Sequence, residues 1–279
     1  MGNKNLANHV TILGGGNMGR ALIGGMLRCG TRPEHMTVGE SSEAARAALS
    51  ADFGVQATAD NAAAVEAASV VVIALKPQVA GTVLAPLQPA LQRNRPVVIS
   101  IAAGIRLAAL ESWCGAAVPV VRAMPNRPAL VGAGATGLYA PASVASAHRE
   151  VAERVMQAVG EVIWVAAEDD LDVVTALSGS GPAYFFLLAE LLTQGAIDLG
   201  LEPAAARRLA IATLHGAGQL AHASDGDLAR MRAEVTSKGG TTEAALKSFE
   251  AADLRGIVAR ALQAATRRGR ELAAQFGTQ

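Results

Sequence analysis

The stretch that decides the fold of this chain is Val10-Thr11-Ile12-Leu13-Gly14-Gly15-Gly16-Asn17-Met18-Gly19. Its first four residues predict a short strand, and the run Arg20 to Cys29 that follows is compatible with a helix. In a GxGxxG turn the first glycine allows a tight turn, and the second lets a pyrophosphate approach the backbone. The third lets the helix pack on the strand, and the free N–H groups of the first helical turn face the phosphates. The stretch therefore predicts a dinucleotide site, rather than a purely structural turn, at Gly14, Gly16, Asn17, Met18 and Gly19.

The composition bounds the class of protein. The chain has 279 residues, of which 51% are apolar and 17% charged, with 24 basic and 24 acidic side chains. That length is enough for one large or two ordinary domains, and the balanced charge argues against a nucleic-acid partner. Cys29 and Cys114 form neither a disulfide framework nor a CxxC motif, and the five histidines lack the spacing of metal ligands. We therefore expect a compact globular protein that has no metal site.

The N-terminal segment and the lengths of the apolar runs bear on localisation. Met1 to Asn8 is polar and leads directly into the first strand, which leaves no room for a signal peptide. The apolar runs do not approach the roughly 20 residues that a membrane helix requires. We therefore expect a soluble, cytoplasmic protein without a membrane partner.

A second predicted strand, Met36 to Gly39, ends at Glu40, which lies 21 residues after Gly19. An acidic side chain at this distance accepts hydrogen bonds from the adenosine ribose and repels a 2′-phosphate, which favours NADH. Ser41 and Ser42 follow at once, and their hydroxyls are equally suited to hold the phosphate of NADPH. Ser42 has a further role open to it, as the cap of a helix Glu43 to Ser50. The choice between the two cofactors therefore stays open.

Further strand and helix signals alternate through the first half of the chain. The β-branched strands show no polar alternation, as a parallel sheet covered on both faces requires. Right-handed β-α-β repetition then predicts a sheet of seven or eight strands in a Rossmann-type dinucleotide-binding domain over residues 1–165. The predicted strands lie near Val55–Ala57, Val70–Ala74, Val97–Ile101, Val118–Val121, Thr136–Tyr139 and Val162–Val165, and the predicted helices near Asn61–Ala68 and Ser146–Val159.

Several predicted cofactor contacts follow the strands, because a dinucleotide lies at the carboxyl edge of such a sheet. Lys76 is expected near the ribose or the phosphates, the alternative being a solvated lysine in a loop. Asn126, held between two prolines, is suited to donate to a nicotinamide carboxamide or to a substrate. The full set beyond the glycine turn is Glu40, Ser41, Ser42, Asn61, Ala74, Leu75, Lys76, Pro77, Ala102 and Asn126.

The second half of the chain, residues 166–279, reads as helical throughout. Pro203 suits the first turn of its helix, and Asp225 suits a helix N-cap. The run Tyr184 to Leu199 carries only Glu190 and Asp198 as charges, so its helix must be buried in a core or between subunits. We therefore expect an obligate homodimer. The predicted helices are Asp170–Leu177, Ala183–Leu199, Pro203–Ala223, Asp225–Val235, Thr242–Ala251 and Asp253–Phe276.

Two glycine-rich interruptions remain, Thr175-Ala176-Leu177-Ser178-Gly179-Ser180-Gly181-Pro182-Ala183-Tyr184 and Val235-Thr236-Ser237-Lys238-Gly239-Gly240-Thr241-Thr242-Glu243-Ala244-Ala245. Together with the first glycine turn, Leu75-Lys76-Pro77 and Met124-Pro125-Asn126, they resemble pyrroline-5-carboxylate reductase over essentially the whole chain. The resemblance implies an α/β fold in which an N-terminal Rossmann-type domain is followed by an all-α C-terminal dimerisation domain. It further implies reduction of 1-pyrroline-5-carboxylate to L-proline by NADPH or NADH, the last step of proline biosynthesis. A homodimer and a ring of dimers are also implied.

The second interruption lies at a helix start, where free N–H groups and hydroxyls form a cradle of carboxylate size, unless it is an ordinary capping turn. The resemblance implies that Ser178 to Pro182 forms the facing wall and that the substrate lies against the nicotinamide. Two residues depart from the family pattern, Arg127 where threonine is usual and Lys238 where proline is frequent. By the resemblance, the substrate carboxylate binds at Ser237, Gly239, Gly240, Thr241 and Thr242.

Hydride transfer to an imine carbon needs mainly positioning, together with a proton on the imine nitrogen. We expect either that the substrate binds as the cation or that Thr175, the candidate catalytic residue, relays a proton through water. A β-hydroxyacid dehydrogenase is the rival enzyme, but it uses a lysine on the first long helix of the second half. The sequence has no lysine between Lys76 and Lys238. A non-catalytic nucleotide sensor is the other alternative, and it gives no reason for a second anion cradle.

Overall fold

The computed structural model describes residues 9–224 and 226–276. Its first part is an eight-stranded sheet with the strand order β3-β2-β1-β4-β5-β6-β7-β8. The predicted α/β class and the predicted sheet of seven or eight strands are therefore confirmed. The strands are β1 (Val10–Leu13), β2 (Met36–Gly39), β3 (Gln56–Thr58), β4 (Val70–Ile73), β5 (Val97–Ser100), β6 (Val120–Met124), β7 (Gly134–Tyr139) and β8 (Gly160–Trp164).

The order of the strands is that of a doubly wound sheet with an added edge. Strands β1 to β6 pair in parallel, and the chain reverses only at β7, which is antiparallel to β6 and parallel to β8. This reversal was not predicted from the strand patterns. The connection 125–133 is too short for the crossover that a parallel strand needs, because such a crossover takes a dozen residues or more.

The continuous apolar strands are explained by two cores, one on each face of the sheet. Along β4, Val70 and Val72 belong to one buried cluster, while Val71 and Ile73 belong to the other. Helices of the first half cover both faces, and three of them, between residues 77 and 114, lie outside the predicted set. These helices are α1 (Asn17–Arg28), α2 (Glu43–Phe53), α3 (Asn61–Val65), α4 (Pro77–Leu84), α5 (Gln88–Asn94), α6 (Leu107–Cys114) and α7 (Ser146–Gln157).

The second half is helical, as predicted. Pro203 starts its helix as expected, whereas the predicted cap Asp225 lies outside the described residues. The side chain of Asp227 accepts the N–H of Arg230 at 2.9 Å and caps the helix that begins at Leu228. The helices are α8 (Asp170–Val174), α9 (Gly181–Asp198), α10 (Pro203–His222), α11 (Leu228–Glu234), α12 (Thr241–Ala251) and α13 (Leu254–Phe276).

The contacts of the chain form two compact units. One holds the residues up to 180 together with those from 265 onward, and the other holds residues 181–264. The second unit leaves many large apolar side chains exposed. On α9 alone, Phe185, Phe186 and Leu191 each keep about three fifths of their surface accessible (59%, 61% and 60%). Such a concentration of exposed apolar side chains marks an interaction surface.

The same helix bears on the question of a membrane. The helical run Asp170–Asp198 is long and apolar enough to cross a membrane by length and composition alone, and only 22% of its most apolar window is buried. The expectation that the apolar runs fall short of a membrane span is therefore wrong for this run. A helix buried in a protein core or between subunits has the same length and composition.

Candidate active site

The geometry of the glycine turn between β1 and α1 fits the role predicted for each of its three glycines. Gly14 has φ +105°, and a Cβ there would lie 2.5 Å from the carbonyl oxygen of Ala74. A Cβ on Gly19 would overlap the carbonyl oxygen of Gly14, so this glycine permits the close approach of helix to strand. A Cβ on Gly16 would meet nothing within 4 Å. The turn is thus tight on the protein side and open on the other side, the arrangement that fits a pyrophosphate.

The first turn of α1 completes this anion-binding arrangement. The helix begins at Asn17, three residues before the predicted start, with Gly16 as its N-cap. The N–H groups of Asn17, Met18 and Gly19 have no carbonyl partner within the helix, as at the start of any α-helix. They provide donors at the positive end of the helix dipole, where an anion is stabilised.

Glu40 lies immediately after β2 and contacts the glycine turn. Its Oε2 accepts the N–H of Gly15 at 3.0 Å, and its Oε1 accepts the N–H of Ser42 at 2.9 Å. Partial burial raises the pKa of this carboxyl, but the hydrogen bonds from Ser42, Gly15 and Ser41 outweigh burial and hold the pKa below its ordinary value. Glu40 is therefore ionised at neutral pH, which opposes a 2′-phosphate at this position.

The segment after β2 is fixed by two residues. Ser42 Oγ accepts the N–H of Ala45 at 3.3 Å, so its predicted role as the cap of α2 is confirmed. Arg46, which the sequence analysis did not single out, donates from Nη1 to the carbonyl oxygens of Glu40 and Ser41 at 2.9 and 2.8 Å. Arg46 lies in the first turns of the predicted helix after Ser42, and this position could have indicated its contact with the segment after β2.

The remaining predicted cofactor contacts lie at the same edge of the sheet. Asn61 begins α3, and its side chain occupies the space that a Cβ on Gly39 would need. Lys76 is the exposed N-cap of α4, directly before Pro77. Ala74 and Leu75 follow β4, and Ala102, which follows β5, is buried. The topology therefore groups these residues with the glycine turn at the carboxyl ends of neighbouring strands.

A cavity of about 230 Å³ opens at the carboxyl ends of β4 and β5. Thr175, the candidate catalytic residue, lines it. Asp172 and two residues of α13 line it as well, and their sequence context gave no signal for this position. Its lining residues are Pro77, Gln78, Ala103, Gly104, Asp172, Thr175, Gly269 and Leu272.

The first glycine-rich interruption is a π-helical turn, Thr175–Gly179, which continues α8. The N–H of Ser180 donates to the carbonyl oxygen of Thr175 at 2.8 Å. Thr175 Oγ1 itself donates to the carbonyl oxygen of Leu171 at 2.7 Å. Its hydroxyl proton is thus directed at the backbone, and the lone pairs of Oγ1 remain to accept a hydrogen bond. Single π-helical turns of this kind occur frequently at functional sites.

Asn126 has a structural role that the sequence analysis missed. Its side chain is buried, its Nδ2 donates to the carbonyl oxygen of Ser178 at 3.0 Å, and its Oδ1 accepts the N–H of Ala135 at 2.9 Å. The amide therefore ties the π-helical turn to the start of β7. A direct contact from Asn126 to a nicotinamide stays a prediction.

A network of ion pairs anchors α8 beside the cavity. Arg106 Nη1 and Nη2 donate to Asp169 and Asp172 at 2.7 and 2.8 Å, and buried Arg122 donates to Glu168 at 2.6 Å. Burial lowers the pKa of Arg122, while its hydrogen bond to Glu168 acts in the opposite direction. These pairs join residues 46 to 66 positions apart, so local sequence patterns gave no sign of them.

The second glycine-rich interruption, in the other unit, is a tight turn before α12. The N–H of Gly240 donates to the carbonyl oxygen of Ser237 at 3.0 Å, and Gly239 has φ +74°. A Cβ on Gly240 would overlap Ser237 Oγ. The backbone of the turn therefore favours glycine at position 239, and a side chain at position 240 would require Ser237 to shift.

The donors of this predicted cradle are fewer than the sequence suggested. The N–H of Gly239 donates to Oε2 of Glu243 at 2.6 Å, and the N–H of Gly240 is used within the turn. Thr241 and Thr242 open α12, so their N–H groups lack intrahelical partners. The donors left for an anion are therefore these two N–H groups and the nearby hydroxyls. Lys238 and Arg127, the two departures, are both exposed.

Two protein families match parts of the chain. The family described as NADP oxidoreductase coenzyme F420-dependent matches residues 9–104, which include the glycine turn and Glu40. The family described as pyrroline-5-carboxylate reductase dimerisation matches residues 168–272, which include both later glycine-rich segments. Among the described residues, groups of three or more potential metal-ligating side chains are absent.

Relatives and solved structures match nearly the whole chain. The pyrroline-5-carboxylate reductase of Pseudomonas aeruginosa is 44% identical over 268 residues, which cover 96% of this chain and 98% of the relative. A pyrroline-5-carboxylate reductase structure from Coxiella burnetii superposes with a TM-score of 0.92 at 41% identity and covers 96% of this chain and 99% of its own. The Plasmodium falciparum enzyme, solved with NADP bound, gives a TM-score of 0.82 at 26% identity, with 96% and 99% covered. With similarity of this extent along both chains, the protein belongs to the pyrroline-5-carboxylate reductase family.

Proposed function

We propose that this enzyme reduces 1-pyrroline-5-carboxylate to L-proline with NADH or NADPH. The observation that carries the proposal is the glycine turn, tight at Gly14 and Gly19 and open at Gly16, in a chain of this family. When bound, the nicotinamide cofactor supplies the hydride. We assign its binding to the glycine turn, the residues around Glu40, and the carboxyl ends of β4, β5 and β6.

The chain's own residues bind and orient the reactants. The N–H groups at the start of α1 hold the pyrophosphate, and ionised Glu40 accepts hydrogen bonds from the adenosine ribose. We assign the substrate carboxylate to the turn before α12, where Ser237, Thr241 and Thr242 retain donors and where Gly239 and Gly240 shape the turn. Held in this way, the imine carbon needs only the correct distance and orientation to accept the hydride.

The proton on the imine nitrogen is the part of the reaction to which a side chain of the enzyme can contribute. We propose that Thr175, which lines the cavity at the carboxyl ends of β4 and β5, relays a proton through water. Its hydroxyl proton turns from the carbonyl oxygen of Leu171 to a water molecule that protonates the imine nitrogen, while Oγ1 takes a replacement proton from solvent. The alternative is that the substrate binds already protonated, in which case Thr175 takes no part in the proton transfer.

Thr175→Val is expected to lower kcat by about tenfold or more at high pH and by less at low pH. The reason is that fewer substrate molecules carry the proton as pH rises, so that delivery by the enzyme matters more. The measurement is kcat against pH for the wild type, Thr175→Val and Thr175→Ser, which keeps the hydroxyl. Thr193→Val is the matched control, because Thr193 Oγ1 makes the same bond to a backbone carbonyl, at 2.8 Å, in α9. Full turnover by Thr175→Val across the pH range would exclude the relay.

The proposed reaction is tested by following the oxidation of NADH and NADPH separately, with pyrroline-5-carboxylate as the acceptor. We expect turnover, and we expect kcat/KM to be higher with NADH because of the carboxylate of Glu40. A preference for NADPH would instead assign the ribose pocket to Ser41, Ser42 and the nearby guanidinium of Arg46. Nucleotide binding without turnover would favour the sensor alternative, and oxidation of a β-hydroxyacid would favour the rival dehydrogenase.

We propose further that the enzyme is a cytoplasmic homodimer that assembles into a ring of dimers, with a functional boundary between residues 165 and 166. The match of residues 168–272 to a dimerisation family and the exposed apolar face of α9 support the dimer. Cys29 and Cys114 are both free thiols, which is compatible with a reducing compartment.

A further inference from the structure

Glu243 is folded back over the turn that is proposed to hold the substrate carboxylate. It is the third residue of α12, its Oε2 accepts the N–H of Gly239 at 2.6 Å, and its Oε1 lies 3.1 Å from Nζ of Lys247. A glutamate at this position of a helix typically reaches back to a free backbone N–H just before the helix. Here that N–H belongs to a residue that the sequence analysis assigned to the substrate.

The contact joins the turn to the helix that follows it. The bond from Gly240 to Ser237 lies within the turn, whereas the bond from Gly239 to Glu243 connects the turn to the first turn of α12. Hydrogen bonds to an ionised carboxylate are short and about twice as strong as those between neutral groups. The N–H of Gly239 lowers the pKa of Glu243, as Lys247 does to a smaller extent, so the carboxylate is ionised at neutral pH.

A carboxylate next to the site for a substrate carboxylate needs an explanation, because like charges repel. Lys247 offsets part of this repulsion, since its ammonium group pairs with Glu243 one helical turn away. The position of the hydrogen bond between Gly239 and Glu243 explains how both carboxylates are accommodated. Glu243 occupies a donor of the turn, while the N–H groups of Thr241 and Thr242 point out of the start of α12, where an anion binds on the helix axis.

We infer that Glu243 is a positioning residue that holds the Ser237–Gly240 turn in its anion-binding shape before the substrate arrives. The inference rests on the proposed function, because it concerns the binding of the same substrate carboxylate. It predicts that the hydrogen bond from Gly239 matters more than the negative charge of Glu243. Glutamine keeps an acceptor oxygen at this position and alanine does not, so the two substitutions separate these contributions.

Glu243→Ala is expected to raise KM for pyrroline-5-carboxylate about tenfold, the change expected for one charge-assisted hydrogen bond, with kcat and KM for the nucleotide nearly unchanged. Glu243→Gln is expected to stay within about threefold of the wild type in all three quantities. Glu234→Ala is the matched control, because Glu234 likewise forms an ion pair with a basic residue one helical turn away. A KM that falls in both Glu243 variants would overturn the inference and make Glu243 a competitor of the substrate.

Amide hydrogen exchange of residues 235–245 in the free enzyme tests the inference without the reaction. Glu243→Ala is expected to speed this exchange about tenfold, and Glu243→Gln is expected to leave it unchanged, because only the first frees the turn. Equal exchange in the wild type and Glu243→Ala would overturn the inference whatever the assay shows. Turnover that is absent from the wild type, with exchange as expected, would instead count against the proposed function alone.

Discussion

Gly16→Ala is expected to raise the dissociation constants for NADH and NADPH about a hundredfold, or ~2.7 kcal/mol, while the free energy of unfolding hardly changes. A Cβ at Gly16 meets no protein atom within 4 Å, and φ −71° with ψ −173° is open to alanine. The added methyl group therefore costs the free protein little. It projects into the space that the pyrophosphate needs, so the loss falls on the bound state. Fluorescence titration with each nucleotide and chemical denaturation measure the two quantities.

Two other glycines of the same turn and helix serve as controls. A Cβ on Gly19 would overlap a backbone oxygen that cannot move independently, so Gly19→Ala is expected to lower the free energy of unfolding by about 2 kcal/mol or more. Gly24 lies within α1, where a Cβ would touch only the end of Arg28 and the ring of Phe53, at 3.3 and 3.4 Å. Gly24→Ala should leave nucleotide affinity unchanged. Wild-type affinity in Gly16→Ala would show that the open side of the turn is not the pyrophosphate site.

The parts of the fold that could be predicted from the sequence are those that local patterns determine. The stretch from Val10 to Gly19 specifies its strand, turn and helix through its own residues, and Ser42 caps the next helix within three positions. Right-handed crossovers set the hand of each β-α-β connection, whereas the strand order around β1 was not predicted. The reversal at β7 could have been found from the short connection 125–133, but the strand propensities alone do not carry the direction of a strand.

The site residues that were missed depend on contacts between distant parts of the chain. Asp172 lines the cavity beside Thr175 because Arg106, 66 positions earlier, anchors it there. Asn126 was predicted from its place in a rigid loop to contact the nicotinamide or a substrate, and this stays a prediction. The hydrogen bonds of its amide with Ser178 and Ala135 were not predicted. In the turn before α12 the sequence correctly indicates free N–H groups. It does not indicate that Glu243 uses one of them, because a side chain's choice of partner is a matter of three-dimensional geometry.

Leu188→Glu combined with Leu192→Glu is expected to convert the enzyme from a dimer to a monomer at micromolar concentration and to abolish turnover. The two leucines are four residues apart on α9, so they share one face, and about half of each side chain is exposed (47% and 53%). Burying each leucine at an interface contributes about 2 kcal/mol, and the replacement adds unpaired buried charges, so the dissociation constant should rise at least a thousandfold. Sedimentation velocity at protein concentrations of about 1–10 µM measures whether the variant is a dimer or a monomer. Val131→Glu is the matched control, because Val131 is 80% exposed and lies outside the dimerisation match.

Sedimentation and vesicle binding of the wild type separate a subunit interface from a membrane helix, the other interpretation of the run Asp170–Asp198. The exposed apolar side chains of this unit are spread over α9, α10 and α13, and a groove of about 570 Å³ is lined by apolar residues of α12 and α13 together with Arg232, Glu250 and Arg255. A single spanning helix accounts for only one of these elements, whereas a second copy of the unit covers all of them. We therefore expect the wild type to sediment as a dimer without detergent and to stay unbound when mixed with phospholipid vesicles. Flotation of the wild type with vesicles, or a monomer at micromolar concentration, would contradict the dimer and make the apolar face of α9 a surface for lipid.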